Sequence, residues 1–370
     1  MVAKRLRNFA LVGVLGGLGL SACKNGNGTA AEVAPTDSEP AKVATTVTET
    51  PAEPAVSNAS ADARAKVLGY GKYLPLDTQA YFGVYDGKGF VQDILDSKVG
   101  SYAQKMASDL GGVDLEEMTE VPQVGMAFSM MSEEFFVAVG AGAGDQMHNF
   151  MLLNEASNHQ RMKFLVKMLD AELTGKEDDE MMMGMEAMMM PMMGGIISDP
   201  QASLEILENA QMPPLTIGFK ISDEEAREQV AGMIAGVMME GLAELGPDGE
   251  DVAEAVELKR GDVAFTGMKF VGKKMARVMD EDAREDMADV FDAATIERLI
   301  KIAGEKNLVF ATGVHDGYVI LFAGSDEKEL QIAASPAESM AASPKLSCVD
   351  GYLDKKLLSV SMISQEVLNG

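Results

Sequence analysis

The chain has 370 residues, with 58 Asp plus Glu against 31 Lys plus Arg, a formal charge of −27. Such a field repels phosphates and excludes nucleic acid as a partner, because that binding rests on Lys and Arg displacing counterions. The chain has two cysteines, Cys23 and Cys348, so at most one disulfide, and none if either thiol is otherwise engaged, in which case the fold must hold by burial alone.

The first 22 residues have the layout of a secretory signal. Lys4, Arg5 and Arg7 precede an apolar run from Phe9 to Leu20, too short for a hydrocarbon core that needs roughly twenty residues. The run ends in Leu20-Ser21-Ala22-Cys23. This ending resembles the lipobox of bacterial lipoproteins, in which small residues precede a cysteine whose thiol takes a diacylglycerol. The resemblance implies that residues 1–22 are a lipoprotein signal peptide and that Cys23 is lipidated and becomes the first mature residue. Acyl chains on Cys23 would hold the protein on a membrane. Lys24 follows Cys23 where an inner-membrane retention signal has aspartate, so the outer membrane is the expected location.

Residues 23–62 form a lipidated, disordered tether. From Lys24 onward the segment has no aromatic residue and repeats Ala, Thr, Glu and Pro without a period. Such a coil separates its ends by about 35 Å. An α+β region follows over 63–370, long enough for one large or two smaller domains, with a possible boundary near 200–212.

Along this region "TQAYFGVYDGKGFVQDILDSKV" predicts a strand, a turn at Asp86-Gly87 and an amphipathic helix. "VGMAFSMMSEEFFVAVG" predicts a hairpin or strand, and a helix is expected over 146–173. Between them Gly140, Gly142 and Gly144 loosely resemble a phosphate loop. The dinucleotide pattern wants a third glycine where Asp145 stands, so they read as a turn. His148 and His159 are eleven apart and share a helix face, but about 16 Å separates them, too far to ligate one metal.

Nine methionines follow, at Met181, Met182, Met183, Met185, Met188, Met189, Met190, Met192 and Met193. Thioethers are soft ligands that favour Cu(I), so three or four of these could converge on one ion. A loop packed on the domain or an adaptable apolar contact surface is the competing expectation.

"PLTIGFKISDEEAREQVAGMIAGVMMEGLAEL" repeats the strand-helix arrangement, with Ser222 and Glu225 as the expected capping box. "DVAFTGMKF" is a further strand, and a helix is expected over 282–304. In "NLVFATGVHDGYVILFAGSDEKELQIAA" the pair Asp316-Gly317 between alternating runs signals a type I′ hairpin, with a helix entered near Ser325 and Asp326. His315 beside that turn is expected to be a polar turn residue. Cys348, among apolar neighbours in "KLSCVDGYL", is expected to be buried. "DKKLLSVSMISQEVLNG" supplies a last strand and a helical turn, which either complete a sheet or belong to a longer protein.

Tight turns between neighbouring strands argue for an α+β fold of antiparallel sheets with helices packed on one face, built from repeated strand-hairpin-helix units. "YLPLDTQAYFGVYDGKGFVQDIL" and "HDGYVILFAGSDEKELQIA" resemble the opening and closing units of an uncharacterised group of bacterial envelope proteins, over residues 66 to 334. That resemblance implies a repeated α+β fold in the envelope and carries over no catalytic residue.

No nucleophile elbow, His-Glu-x-x-His helix, Cys-x-x-Cys pair or calcium loop occurs. Acidic pairs such as Asp178-Asp179 and Glu224-Glu225 read as solvated faces in so acidic a chain. The expectation is a lipid-anchored envelope protein that is not an enzyme and uses no cofactor, acting as a binding or scaffolding module for an envelope protein partner. Cu(I) handling through the methionine run is the alternative, and a hydrolase with an unrecognised carboxylate site is the third reading.

Overall fold

A computed structural model describes residues 58–98, 102, 133–174, 199–244, 252–278, 284, 287–288 and 291–369. They belong to one unit, Val56–Gly370. The fold is α+β, with an eight-stranded antiparallel sheet. Its strands are β1 Ala80–Val84, β2 Phe135–Val139, β3 Leu215–Lys220, β4 Ala253–Arg260, β5 Val263–Val271, β6 Asn307–His315, β7 Tyr318–Gly324 and β8 Ser359–Ile363, in the spatial order β4-β5-β6-β7-β3-β2-β1-β8. β3 lies just past the expected boundary at 200–212. It is hydrogen-bonded to β2 on one side and β7 on the other, so one sheet carries both segments.

The helices are α1 Asn58–Ala65, α2 Gly87–Asp96, α3 Ala143–Thr174, α4 Pro200–Asn209, α5 Glu224–Glu244, α6 Gly272–Val278, α7 Ala293–Glu305 and α8 Gln365–Asn369. α3 falls where a helix was expected over 146–173, and β8 with α8 matches the reading of the last segment, but the helix expected over 282–304 is interrupted at Phe291-Asp292, where extended Asp292 caps α7 anew. The run "AEAVELKR" of β4 has no counterpart in the sequence-level reading. Its charged residues mask an alternation whose inward members are Val256 and Leu258. The first limb of the expected 124–140 hairpin lies outside the described residues.

Both faces of the sheet are covered, whereas helices on one face were expected. On one face Phe265, Val309, Ala311, Ile320, Phe322, Phe136 and Tyr81 form the main core with Leu68, Leu330, Met340, Leu346 and Val349. The last four come from a chain of 3-10 turns between Glu327 and Tyr352 that stands where one helix was expected near Ser325. The sequence there favours short turns. Asp326 closes a capping box over only three residues, and Pro336 and Pro344 restart the turn. On the other face Met268, Phe270 and Phe310 pack against Met238 of α5 and Met275 of α6. β7 is apolar at every position from Tyr318 to Ala323, as a strand buried from both sides must be.

Three local details differ from the sequence-level reading. Helix α1 begins at Asn58, inside the stretch read as tether. Its small, polar composition looks disordered, yet Ala61 and Arg64 are each only 1 % exposed because small side chains let the helix approach the turns at 336–352 closely. Helix α5 is capped by Asp223, whose Oδ1 accepts from the Ala226 amide at 2.7 Å, not by Ser222. Ser222 is captured instead by Glu133, which accepts from both its amide and its hydroxyl. Cys348 is exposed, contrary to the expected burial. In a 3-10 turn the side chains repeat every three residues, so Leu346 and Val349 face the core and Cys348 between them faces out.

Candidate functional site

The turn joining β6 and β7 fixes the first part of the site. Asp316 and Gly317 have φ of 48° and 83°, the type I′ geometry that the sequence signals. A two-residue loop pairs His315 directly with Tyr318. Tyr318 in turn pairs with Lys220 on β3, and the Lys220 amide donates to the Glu134 carbonyl at 2.8 Å. His315, Tyr318, Lys220 and Glu134 thus form a row across one end of four strands. Side chains directly opposite on one face of a sheet lie within contact distance.

That row is wired. Lys220 Nζ donates to Glu134 Oε1 at 2.7 Å, and the Tyr318 hydroxyl donates to Glu134 Oε2. Next along β1, Tyr81 and Tyr85 share a hydroxyl-to-hydroxyl hydrogen bond of 3.0 Å. Gly83 lies between them on the same face, and a Cβ there would fall 2.2 Å from the Tyr81 hydroxyl, so only glycine lets that ring lie along the strand.

The 3-10 turn Gly69–Tyr73 closes over the row. Tyr70 stacks on Phe136 with centroids 4.8 Å apart and meets His315 Nδ1 through its hydroxyl at 3.1 Å. Tyr73 donates to Asp316 Oδ2 at 3.0 Å, and Lys72 pairs with the same oxygen at 3.0 Å. Gly69 enters this turn with φ of 52°, and a Cβ on it would stand 2.5 Å from Glu134 Oε2. Both the left-handed backbone and the close approach demand glycine.

Burial sets the protonation of the network. It pushes the Tyr70, Tyr81, Tyr85 and Tyr318 hydroxyls well above the usual phenol range, and for Tyr318 the Glu134 carboxylate adds to the effect. These phenols remain protonated, and Tyr318 donates its proton to the Glu134 carboxylate. Burial, with Lys72 nearby, lowers the His315 imidazole, against the opposing pull of Asp316. Asp316 itself lies below the usual carboxylate range. Burial would raise it, but Lys72 and the Tyr73 hydroxyl together outweigh that.

Beside the network opens a cavity of about 510 Å³, within the roughly 300–1,000 Å³ usual for small-ligand sites. Five lysines line it: Lys66, Lys72, Lys220, Lys355 and Lys356. Only two carboxylates do so, Glu134 and Asp316. The ratio inverts that of the whole chain. Glu134 and Asp316 neutralise Lys220 and Lys72, and Lys356 reaches Asp86 at 2.7 Å. Lys66 and Lys355 have no carboxylate partner among the described residues, and Lys355 lies over the Tyr352 ring, 5.2 Å from its centroid. Surplus positive charge therefore collects at this one concavity.

The residues singled out in the sequence do not build this site. Cys23 and the run Met181, Met182, Met183, Met185, Met188, Met189, Met190, Met192 and Met193 lie outside the described residues, as does Asp178-Asp179. His148 and His159 both lie on α3, and Glu224-Glu225 are exposed at the start of α5. Around Gly140, Gly142 and Gly144 the chain makes a turn, with Gly142 at φ of 84°. The start of α3 is occupied by its own protein: Gln79 accepts from the Gly144 amide at 3.0 Å and the backbone of Glu366 lies against Gly144. Among the described residues no group of three or more His, Cys, Asp or Glu converges as metal ligands, and no helix is long and apolar enough to cross a membrane.

Of the site, only His315 and the hairpin were marked beforehand. Glu134, Lys220, Tyr318 and Tyr70 were not, because their contacts join residues 86 to 245 positions apart. One signal was there: Tyr70, Tyr73, Tyr81 and Tyr85 hold four of the seven tyrosines within a short stretch. No protein-family model matches the chain, and no curated protein or solved structure matches it.

Proposed function

We propose that the chain is a lipid-anchored envelope protein, held at the outer membrane by acyl chains on Cys23, whose folded unit acts as a non-catalytic binding module with the lysine-rimmed cavity as its seat. The observation that carries the binding half is the convergence of five lysines and a protonated phenol network on one cavity of about 510 Å³ in a chain with 58 acids and 31 bases. Binding is favoured over catalysis by how the groups are engaged. Acid–base chemistry needs two titratable groups whose environments separate their pKa values around neutrality. Here each cavity carboxylate is tied to a lysine, the phenols are held protonated, and His315 Nδ1 is engaged by Tyr70. We also read the strand, hairpin and helix units on either side of α4 as two related halves of one sheet.

Two measurements test the two halves of this reading. Radiolabelled palmitate should enter the protein, and Cys23→Ala should abolish the label and release the protein from membranes. A Cys23→Ala protein that stays on salt-washed membranes at unchanged yield rules out the anchor. For the seat, acetylation of Lys66 and Lys355 followed by mass spectrometry should be slower in intact envelopes than in the purified protein. Equal rates would mean that the cavity holds nothing in its native setting.

A further inference from the structure

We infer that the cavity takes an anionic carbohydrate, a sugar ring bearing a phosphate or a carboxylate. This rests on the reading of the unit as a binding module and goes further by naming the ligand's chemistry. The argument starts from charge. Lys66 and Lys355 lack carboxylate partners among the described residues, and both are exposed, so their ammonium groups are hydrated and free to meet an anion without being drawn from a buried ion pair. Lysine acts as a point charge and accepts either oxyanion.

The cavity is larger than a bare oxyanion needs. A cavity of about 510 Å³ has the volume of roughly seventeen waters at about 30 Å³ each, several times what a five-atom phosphate fills. The remainder of the ligand must satisfy the rest of the wall. Glu134 accepts one donor on each oxygen, from Lys220 and from Tyr318. An ionised carboxylate has about four acceptor sites, so each oxygen retains one for a ligand hydroxyl. Asp316, also ionised, offers the same through Oδ1, since Lys72 and Tyr73 both use Oδ2. Acceptors on one side and cations on another suit a ligand that is a hydroxyl donor and an anion at once. Val67, Leu357 and the ring of Tyr85 supply the apolar part of the wall against which the C–H face of a sugar ring can lie.

The test is calorimetric titration of the full chain in detergent with four probes: glucose 6-phosphate, glucuronate, glucose and inorganic phosphate. The two sugar anions should bind, with glucose and phosphate each weaker by about tenfold or more, the worth of one charge-assisted hydrogen bond. The double variant Lys66→Gln/Lys355→Gln should lose at least that factor for the sugar anions while its circular dichroism and melting temperature stay unchanged, because both side chains are exposed. Glucose binding as tightly as the sugar anions, unaffected by the double variant, would overturn the anion half and leave a binding seat. Phosphate binding as tightly as glucose 6-phosphate would overturn the sugar half. No binding of any probe overturns the assignment outright, while the palmitate and fractionation experiment still decides the anchor independently.

Discussion

Arg64 and Asp350, 286 residues apart in sequence, form a two-pronged ion pair: Nε meets Oδ1 at 2.6 Å and Nη2 meets Oδ2 at 2.7 Å. The Arg64 side chain is 2 % exposed, and its Nη1 also donates to the carbonyls of Ser343 at 2.7 Å and Ala341 at 3.3 Å. One guanidinium therefore clamps α1 to the 3-10 turns that lead into Lys355 and Lys356. Both rims of the cavity hang from this clamp, since Ala65 and Lys66 follow Arg64 directly. Arg64→Met should destabilise the fold by about 2 kcal/mol, because it leaves the two buried carbonyls without their donor, while Asp350, whose side chain is 41 % exposed, is rehydrated. Chemical denaturation of the two proteins measures this. Asp350 is held below the usual carboxylate range chiefly by its hydrogen bonds to Arg64. A depressed carboxylate contributes stability above its unfolded value, about 3.9, and loses it as pH falls through the folded value. The gap between wild type and Arg64→Met should therefore narrow below pH ~4.

Gly69→Ala tests the close approach of the turn to Glu134. The substitution combines a φ of 52° with a Cβ placed 2.5 Å from Glu134 Oε2, and an alanine in a backbone it does not favour costs about 1 kcal/mol or more. A melting temperature lower by several degrees is expected. Made in a Glu134→Ala background, where the clash is absent, the same substitution should cost less than in wild type. The backbone part should persist, so a substitution that costs nothing there would contradict the geometry.

What could be read in advance divides along a physical line. The β6–β7 hairpin was legible because Asp316-Gly317 needs only local backbone preference. α3 and the second half of the 282–304 helix were legible because apolar period is a property of a single segment, whereas the break at Asp292 was not. The cavity was not legible, because Glu134, Lys220 and Tyr318 meet only through sheet register, and register is set jointly by several strands. Cys348 shows the same limit at short range. Its neighbours are apolar, yet the choice between a helical and a 3-10 turn decides which of them face inward. Helix α1 was hidden by composition, since a run of Ala, Ser and Asp looks like tether until Arg64 finds Asp350.

Cys348 should react with Ellman's reagent in the folded protein, without denaturant, because it is exposed. The acylated protein should titrate one thiol and the Cys23→Ala chain also one. A mature protein titrating two would show that Cys23 carries no thioether-linked lipid. A thiol that appears only in urea would mean that Cys348 is buried after all.

His315 gives the fold a pH dependence of definite sign. Burial lowers its imidazole below the unfolded value of about 6.5, so between the two values the unfolded chain holds the extra proton. Stability then rises with pH through this window and falls as the solution is acidified below ~6.5. The groups facing the ring are Tyr70 and Tyr73, both neutral, with Lys72 opposing protonation and Asp316 favouring it. His315→Gln keeps an acceptor for the Tyr70 hydroxyl and removes the titration. Urea midpoints at pH 7.5 and 5.5 should differ more for wild type than for His315→Gln. Equal differences in the two proteins would place the acid sensitivity elsewhere, and a wild type more stable at 5.5 would mean that the ring is charged in the fold, paired with Asp316 in preference to Tyr70.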